Sequence, residues 1–183
     1  MGEIASASQL RMYFVRWALV TVPSILLLGV ASGQLSGSGY GNPWFDALIK
    51  PSIMPPGWIF PVVWPVLYIL MGLSLAYILA ARGAAGRPLA IVIFLVQLLL
   101  NLAWSPIFFA MHNMALALAV IGAMFLATVI TIVLFRKIRP IAGLLLLPYL
   151  AWLAFAFLLN YQTMMVNPDA GVAPEGSATQ INL

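Results

Sequence analysis

Five stretches of about twenty residues, 13–33, 58–81, 88–110, 114–135 and 141–164, run through this chain almost without a charge. The hydrocarbon core of a bilayer is about 30 Å thick and takes roughly 20 apolar residues per helix. Together the five windows hold about 114 of the 183 residues, which is far more apolar length than a soluble fold of this size can bury. The sequence therefore reads as an all-α membrane protein, a five transmembrane helix bundle. Only 7% of its residues are charged, against about a quarter in a soluble domain. That scarcity excludes a soluble enzyme, a disordered chain and a nucleic-acid-binding module. Eight basic residues are too few to track phosphates unless they cluster on one face, so no nucleic-acid partner is expected. With no cysteine, disulfides, thiolate metal sites and cysteine nucleophiles are excluded together.

The basic residues do carry topology. Arg11 and Arg16 stand at the start of the first window, Arg82 and Arg87 between the second and third, and Arg136, Lys137 and Arg139 between the fourth and fifth. Those places share one side of the membrane, which the positive-inside rule assigns to the cytoplasm. The N-terminus is then cytoplasmic and the C-terminus outside, with Lys50, His112, Asp169 and Glu175 on the outer side. Arg11 and Arg16 also fit the basic start of a signal peptide cleaved near Ala31 and Gly33, a reading that leaves four helices.

Connections between the windows are short except for the first, residues 34–57. Gly37, Ser38, Gly39 and Gly41 open it flexibly, and Asn42 with Pro43 then supplies an N-cap and first helical residue. Trp44 and Leu48 fall on one face, Asp46 and Lys50 have the spacing of an i,i+4 ion pair, and Pro51 ends the segment. This predicts a short helix in the first extramembrane loop, across the outer mouth of the bundle. Residues 1–165 read as one domain and 166–183 as a disordered tail, since the stretch from Asn167 has no periodicity.

Inside the membrane there is no acid, because Glu3, Asp46, Asp169 and Glu175 all fall outside the windows. A proton- or sodium-coupled carrier lacks its coupling residue, and a lone His112 makes no metal site. What the interior holds is aromatic and amide. Gln97, Asn101 and Trp104 form one helical stripe; Trp152, Ala156 and Asn160 form another with Leu159 beside it; Trp64 and Tyr68 form a third below Trp58. Each stripe is explained by interhelical hydrogen bonding. Their convergence from three helices points instead to an apolar, flat-walled pocket for a planar hydrophobic ligand. No nucleophile–base pair appears, so no catalytic residue and no cofactor are assigned. Pro23, Pro61, Pro65, Pro106 and Pro148 interrupt four windows, where each frees a carbonyl and bends its helix. Small residues repeat every fourth position from Ala115 to Ala127 and from Gly72 to Ala80, suited to close helix packing within or between monomers.

The run from Trp44 to Tyr68, WFDALIKPSIMPPGWIFPVVWPVLY, closely resembles the first-loop and second-helix signature of the TspO/translocator protein family, the tryptophan-rich sensory proteins. Gln97 to Phe109 and Pro148 to Tyr161 resemble it too, so the likeness spans roughly residues 13–165. It implies a bacterial-type, multi-pass protein of the bacterial cell membrane, often a homodimer. It also implies a ligand-binding protein for tetrapyrroles, protoporphyrin IX or haem, and for other planar hydrophobic molecules such as sterols, acting as sensor or transport facilitator. By position, the resemblance implies that Val30, Ala31, Trp64, Asn101, Trp104, Trp152, Ala156 and Leu159 line the pocket under the first loop. Trp44, Lys50, Pro55, Pro56 and Trp58 resemble its lid, with Trp58 also reaching the ligand beside Tyr68. An alternative from the same resemblance is light- and oxygen-dependent porphyrin breakdown with Trp64 as the reactive group. The sequence departs from animal members where Leu102 and Leu116 replace tryptophans. No basic residue follows Tyr161 to complete their cholesterol motif.

Overall fold

With no water in the hydrocarbon core to pair with peptide groups, apolar windows of this length must close their hydrogen bonds within helices. The computed structural model describes residues 7–170 and contains five helices long and apolar enough to cross a membrane. α1 is Ala7–Leu35, α3 is Ile59–Ala80, α4 is Arg87–Ser105 and α5 is Met114–Ile138. α2, Pro43–Ala47, is the short helix of the first loop. The fifth crossing, expected as one bent helix, is two: α6, Pro140–Leu144, and α7, Leu147–Val166. Pro148 has no N–H to offer Leu144, and the ladder breaks at Leu145 and Leu146.

Packing order differs from chain order in one place. α1 lies against α3 and α4, α4 against α5, and α5 against α7. α3 and α4, consecutive in the chain, meet only sparsely because α1 is wedged between them. α1 and α3 come backbone to backbone at Gly72, where a Cβ would lie 2.6 Å from Val22 Cα, and the Thr21 hydroxyl donates to the Gly72 carbonyl at 2.7 Å.

Carbonyls released by prolines and breaks are taken up by serines of neighbouring helices. Pro106 leaves the Leu102 carbonyl without its helical donor, and Ser32 on α1 donates to it at 2.6 Å. At the break after α6 the Leu146 N–H turns to Gly143, and Ser74 on α3 donates to the Ala142 carbonyl at 2.7 Å. Beyond Pro106 the backbone widens into a π turn, Pro106–Ala110, closed by Met111 N–H to the Pro106 carbonyl at 2.9 Å.

Basic side chains gather at the end of the bundle opposite α2. Arg87 donates to the Ile78 and Leu79 carbonyls at the end of α3, both at 2.9 Å, and Arg82 lies over the Tyr13 ring. Arg136 and Lys137 occupy the last turn of α5, where cations favour the carbonyl end of a helix dipole.

In the first loop, Asn42 caps α2 by accepting from Phe45 N–H at 3.0 Å, with Pro43 opening the helix. The Asp46–Lys50 ion pair does not form. α2 ends at Ala47, so Lys50 lies outside the helix and its ammonium bonds the Phe45 and Leu48 carbonyls. Asp46 instead accepts from Gly41 N–H. Disorder was expected from residue 166, but the first part of that stretch is anchored. Asn167 accepts from Ile49 N–H and donates to the Ile49 carbonyl, while Ala170 accepts from the Trp44 indole. The rest of the expected tail, 171–183, lies outside the described residues.

Candidate functional site

At the α2 end the helices splay around a cavity of about 620 Å³, within the range that small-molecule sites occupy. Its walls come from every long element except α5. α1 contributes Gly29, Val30, Gly33 and Gln34; α3 contributes Phe60, Pro61, Trp64, Pro65 and Tyr68; and the end of α4 with the π turn contributes Trp104, Ser105, Phe108 and Phe109. α7 supplies Trp152, Phe155, Ala156, Leu159, Asn160 and Thr163, and the first loop closes the top with Tyr40, Phe45, Met54, Gly57 and Trp58 among others. No Asp, Glu, Lys, Arg or His is among these lining residues.

The walls are built from ring contacts. Trp64 stacks on Tyr68 with centroids 5.4 Å apart and meets the edge of Trp152 at 6.4 Å, which in turn meets Phe60 at 6.0 Å. Trp104 stacks on Phe108 at 5.1 Å, a pair that exists because the π turn rotates Phe108 and Phe109 inward under the loop. Glycine shapes the opposite wall: at Gly29 any Cβ would overlap the Tyr68 ring.

The floor is a buried polar knot. Tyr68 OH donates to Asn101 Oδ1 at 3.2 Å, and Asn101 Nδ2 donates to Tyr149 OH at 3.0 Å, joining α3, α4 and α7. Buried polar groups are normally paired in this way. Around the cavity several are not: the indole N–H groups of Trp104 and Trp152 and both amide atoms of Asn160 are buried without a partner. Gln97, one turn deeper on α4, is likewise unpaired.

Val30, Trp58, Trp64, Tyr68, Trp104, Trp152, Ala156 and Leu159, expected at the ligand, all line this cavity. Ala31 does not; it points outward, a helical step of 100° beyond the wall face that Val30 shares with Gly33. Asn101 is absent from the lining too, because its amide is spent on the two tyrosines beneath the floor. The expected lid residues Trp44, Lys50, Pro55 and Pro56 belong to the covering loop without lining the cavity. Trp44 stacks on His112 at 4.4 Å, and His112 holds a positive φ of 55° to present its ring. Partial burial lowers the Lys50 pKa, against the raising influence of Asp46. The wall residues that sequence reasoning missed include Tyr40, Phe45, Met54, Phe60 and Phe155. Phe60 falls four residues before Trp64 and Phe155 three after Trp152, so helical spacing was the available signal.

Comparison with known proteins agrees with this architecture. The TspO/MBR family profile matches residues 19–166. Tryptophan-rich protein TspO of Chlorobaculum tepidum is 39% identical over 126 residues, covering 68% of this chain and 80% of that protein. Protein CrtK of Rhodobacter capsulatus is 39% identical over 152 residues, covering 81% and 94%. The human translocator protein is 39% identical over 137 residues, covering 73% and 80%. A profile match over four fifths of the chain and relatives at this identity lead to one conclusion: the chain belongs to the TspO/MBR family.

Proposed function

We propose that this membrane protein binds a tetrapyrrole, protoporphyrin IX or haem, in the cavity beneath the first loop and acts as a sensor or transport facilitator. The observation that carries the reading is the cavity itself: about 620 Å³, walled by flat rings and free of charged side chains. Such walls favour a planar apolar body through dispersion and offset stacking. The unpaired Trp104, Trp152 and Asn160 groups are hydrogen-bonding capacity that small side-chain rotations would offer to a ligand's polar edge. The names of two relatives, tryptophan-rich sensory protein and translocator protein, are compatible with such a role.

The same reading includes a cytoplasmic N-terminus, from the clustering of basic residues opposite the lid, so the cavity opens toward the outer face. It also includes a bacterial cell membrane and a homodimer. Titrating protoporphyrin IX against tryptophan fluorescence in nanodiscs tests the binding reading. Saturable quenching, weakened in Trp64→Phe and Trp152→Phe, is expected; absence of saturation, or quenching indifferent to both changes, refutes it.

A second reading, light-driven porphyrin breakdown, draws support from the adjacency of oxidisable rings, Trp64 stacked on Tyr68 and edge-on to Trp152. Illuminating the complex with and without oxygen while following the porphyrin spectrum tests it. An unchanged product profile in Trp64→Phe removes that side chain from the chemistry.

A further inference from the structure

The long helices form a ring with one weak joint. α3 and α7 touch only sparsely, whereas the other neighbouring pairs around the ring pack more closely. Toward the basic end the joint is sealed by α6, which lies against α3 and accepts the Ser74 hydrogen bond at Ala142. Beyond the break at Leu145 and Leu146, α7 leaves α3. The lid-end half of the joint is filled by side chains: Phe60 and Trp64 of α3 meet the Trp152 ring of α7 edge-on, and Phe155 packs beside Trp152 on α7. All four are half-buried and all four line the cavity. Among the described residues no hydrogen bond links α3 to α7 here, and the Trp152 indole N–H has no acceptor.

The lid is fastened by contrast. Asn167 holds Ile49 through both its amide and its carbonyl oxygen at 2.9 and 2.8 Å, Trp44 is tied to Ala170, and Phe45 is packed edge-on to Phe108 and Phe109. Opening it breaks several hydrogen bonds and a buried cluster together. Opening the seam requires rotation of rings about their own side-chain torsions, with no backbone group left unpaired, and rotamer changes are the faster class of motion.

We propose that the α3/α7 seam is a lateral portal through which a flat, lipid-soluble ligand passes between the bilayer and the cavity, with Phe60 and Phe155 as its gate. The inference rests on the binding reading above and adds a route to it. It also restricts the ligand. The leading edge that enters the seam must be apolar, since no charged side chain lines the cavity to receive a charge, and polar substituents trail.

Stopped-flow quenching by protoporphyrin IX delivered from phosphatidylcholine vesicles to nanodisc-embedded protein separates the two routes. Opening a gate raises association and dissociation together, whereas losing a ligand contact acts mainly on dissociation. Phe60→Ala is expected to raise both rate constants, each by roughly tenfold. Phe155→Ala, an independent variant on the other helix, is expected to act in the same direction. Asn167→Ala, which removes both hydrogen bonds holding Ile49 of the lid without touching the cavity lining, is expected to leave both rates within about twofold. Faster exchange in Asn167→Ala with unchanged association in both phenylalanine variants overturns the portal while leaving ligand binding intact. Absence of saturable quenching in the unmodified protein removes the binding reading, and the portal with it.

Discussion

Replacing Gly72 by alanine tests the packing that holds the α1 wall of the cavity in place. A Cβ at this position would lie 2.6 Å from Val22 Cα and 2.9 Å from Val22 N, both backbone atoms. Restoring ordinary contact needs the two helices to part by about 1 Å, and overpacking of this kind costs about 1–3 kcal/mol. Parting also stretches the Thr21–Gly72 hydrogen bond, whose net contribution is about 1 kcal/mol. Alanine's better helix propensity returns about 0.5–1 kcal/mol. The expected net loss is about 2 kcal/mol, roughly a thirtyfold fall in the folded-to-unfolded ratio. Gly122→Ala is the internal control, because its Cβ would meet Phe157 at an ordinary 3.6 Å. That variant should be neutral or slightly stabilised. Reversible unfolding in mixed micelles, followed by tryptophan fluorescence, reads both. Equal stability of the two variants, or a more stable Gly72→Ala, refutes the close-packed account of the α1–α3 pair.

Other consequences are local. Asn42→Ala removes the α2 cap and should cost about 1 kcal/mol, seen as faster amide hydrogen exchange across Pro43–Ala47 with the long helices unchanged. Ser74→Ala leaves the Ala142 carbonyl without its donor beside the helix break and should destabilise by about 1–3 kcal/mol, measured in the same unfolding assay. Asn101→Leu unpairs Tyr68 and Tyr149 beneath the cavity floor. It should lower stability more than Ala31→Leu, whose side chain faces outward; the reverse ranking contradicts the floor described here.

The five crossings and the short loop helix were legible because each rests on a signal that neighbours in the fold do not alter. A charge-free window of twenty residues has no other home than a bilayer, and Asn42 followed by Pro43 caps a helix wherever it stands. Elsewhere tertiary context decides. Asp46 and Lys50 have helical spacing, but periodicity binds only residues inside the helix, and α2 stops at Ala47. Pro148 on its own predicts a bend; the Ser74 hydroxyl on α3 makes a full break tolerable, and nothing near Pro148 in the chain announces it. Asn101 shares a stripe with Trp104, yet the cavity occupies only the lid end. Three residues along the helix separate a wall residue from one buried under the floor. The anchoring of Asn167 to Ile49 joins positions 118 apart, beyond any local pattern.

The central claim is that the cavity beneath the first loop is where a planar ligand is held. Ala156→Phe places a ring into that empty volume from α7 without removing any hydrogen bond described here. Protoporphyrin IX titration of this variant in nanodiscs, alongside its circular dichroism, is the most direct measurement. The account predicts an unchanged helical spectrum with saturable quenching lost or weakened at least about tenfold; a folded variant that binds as the unmodified protein does would contradict it.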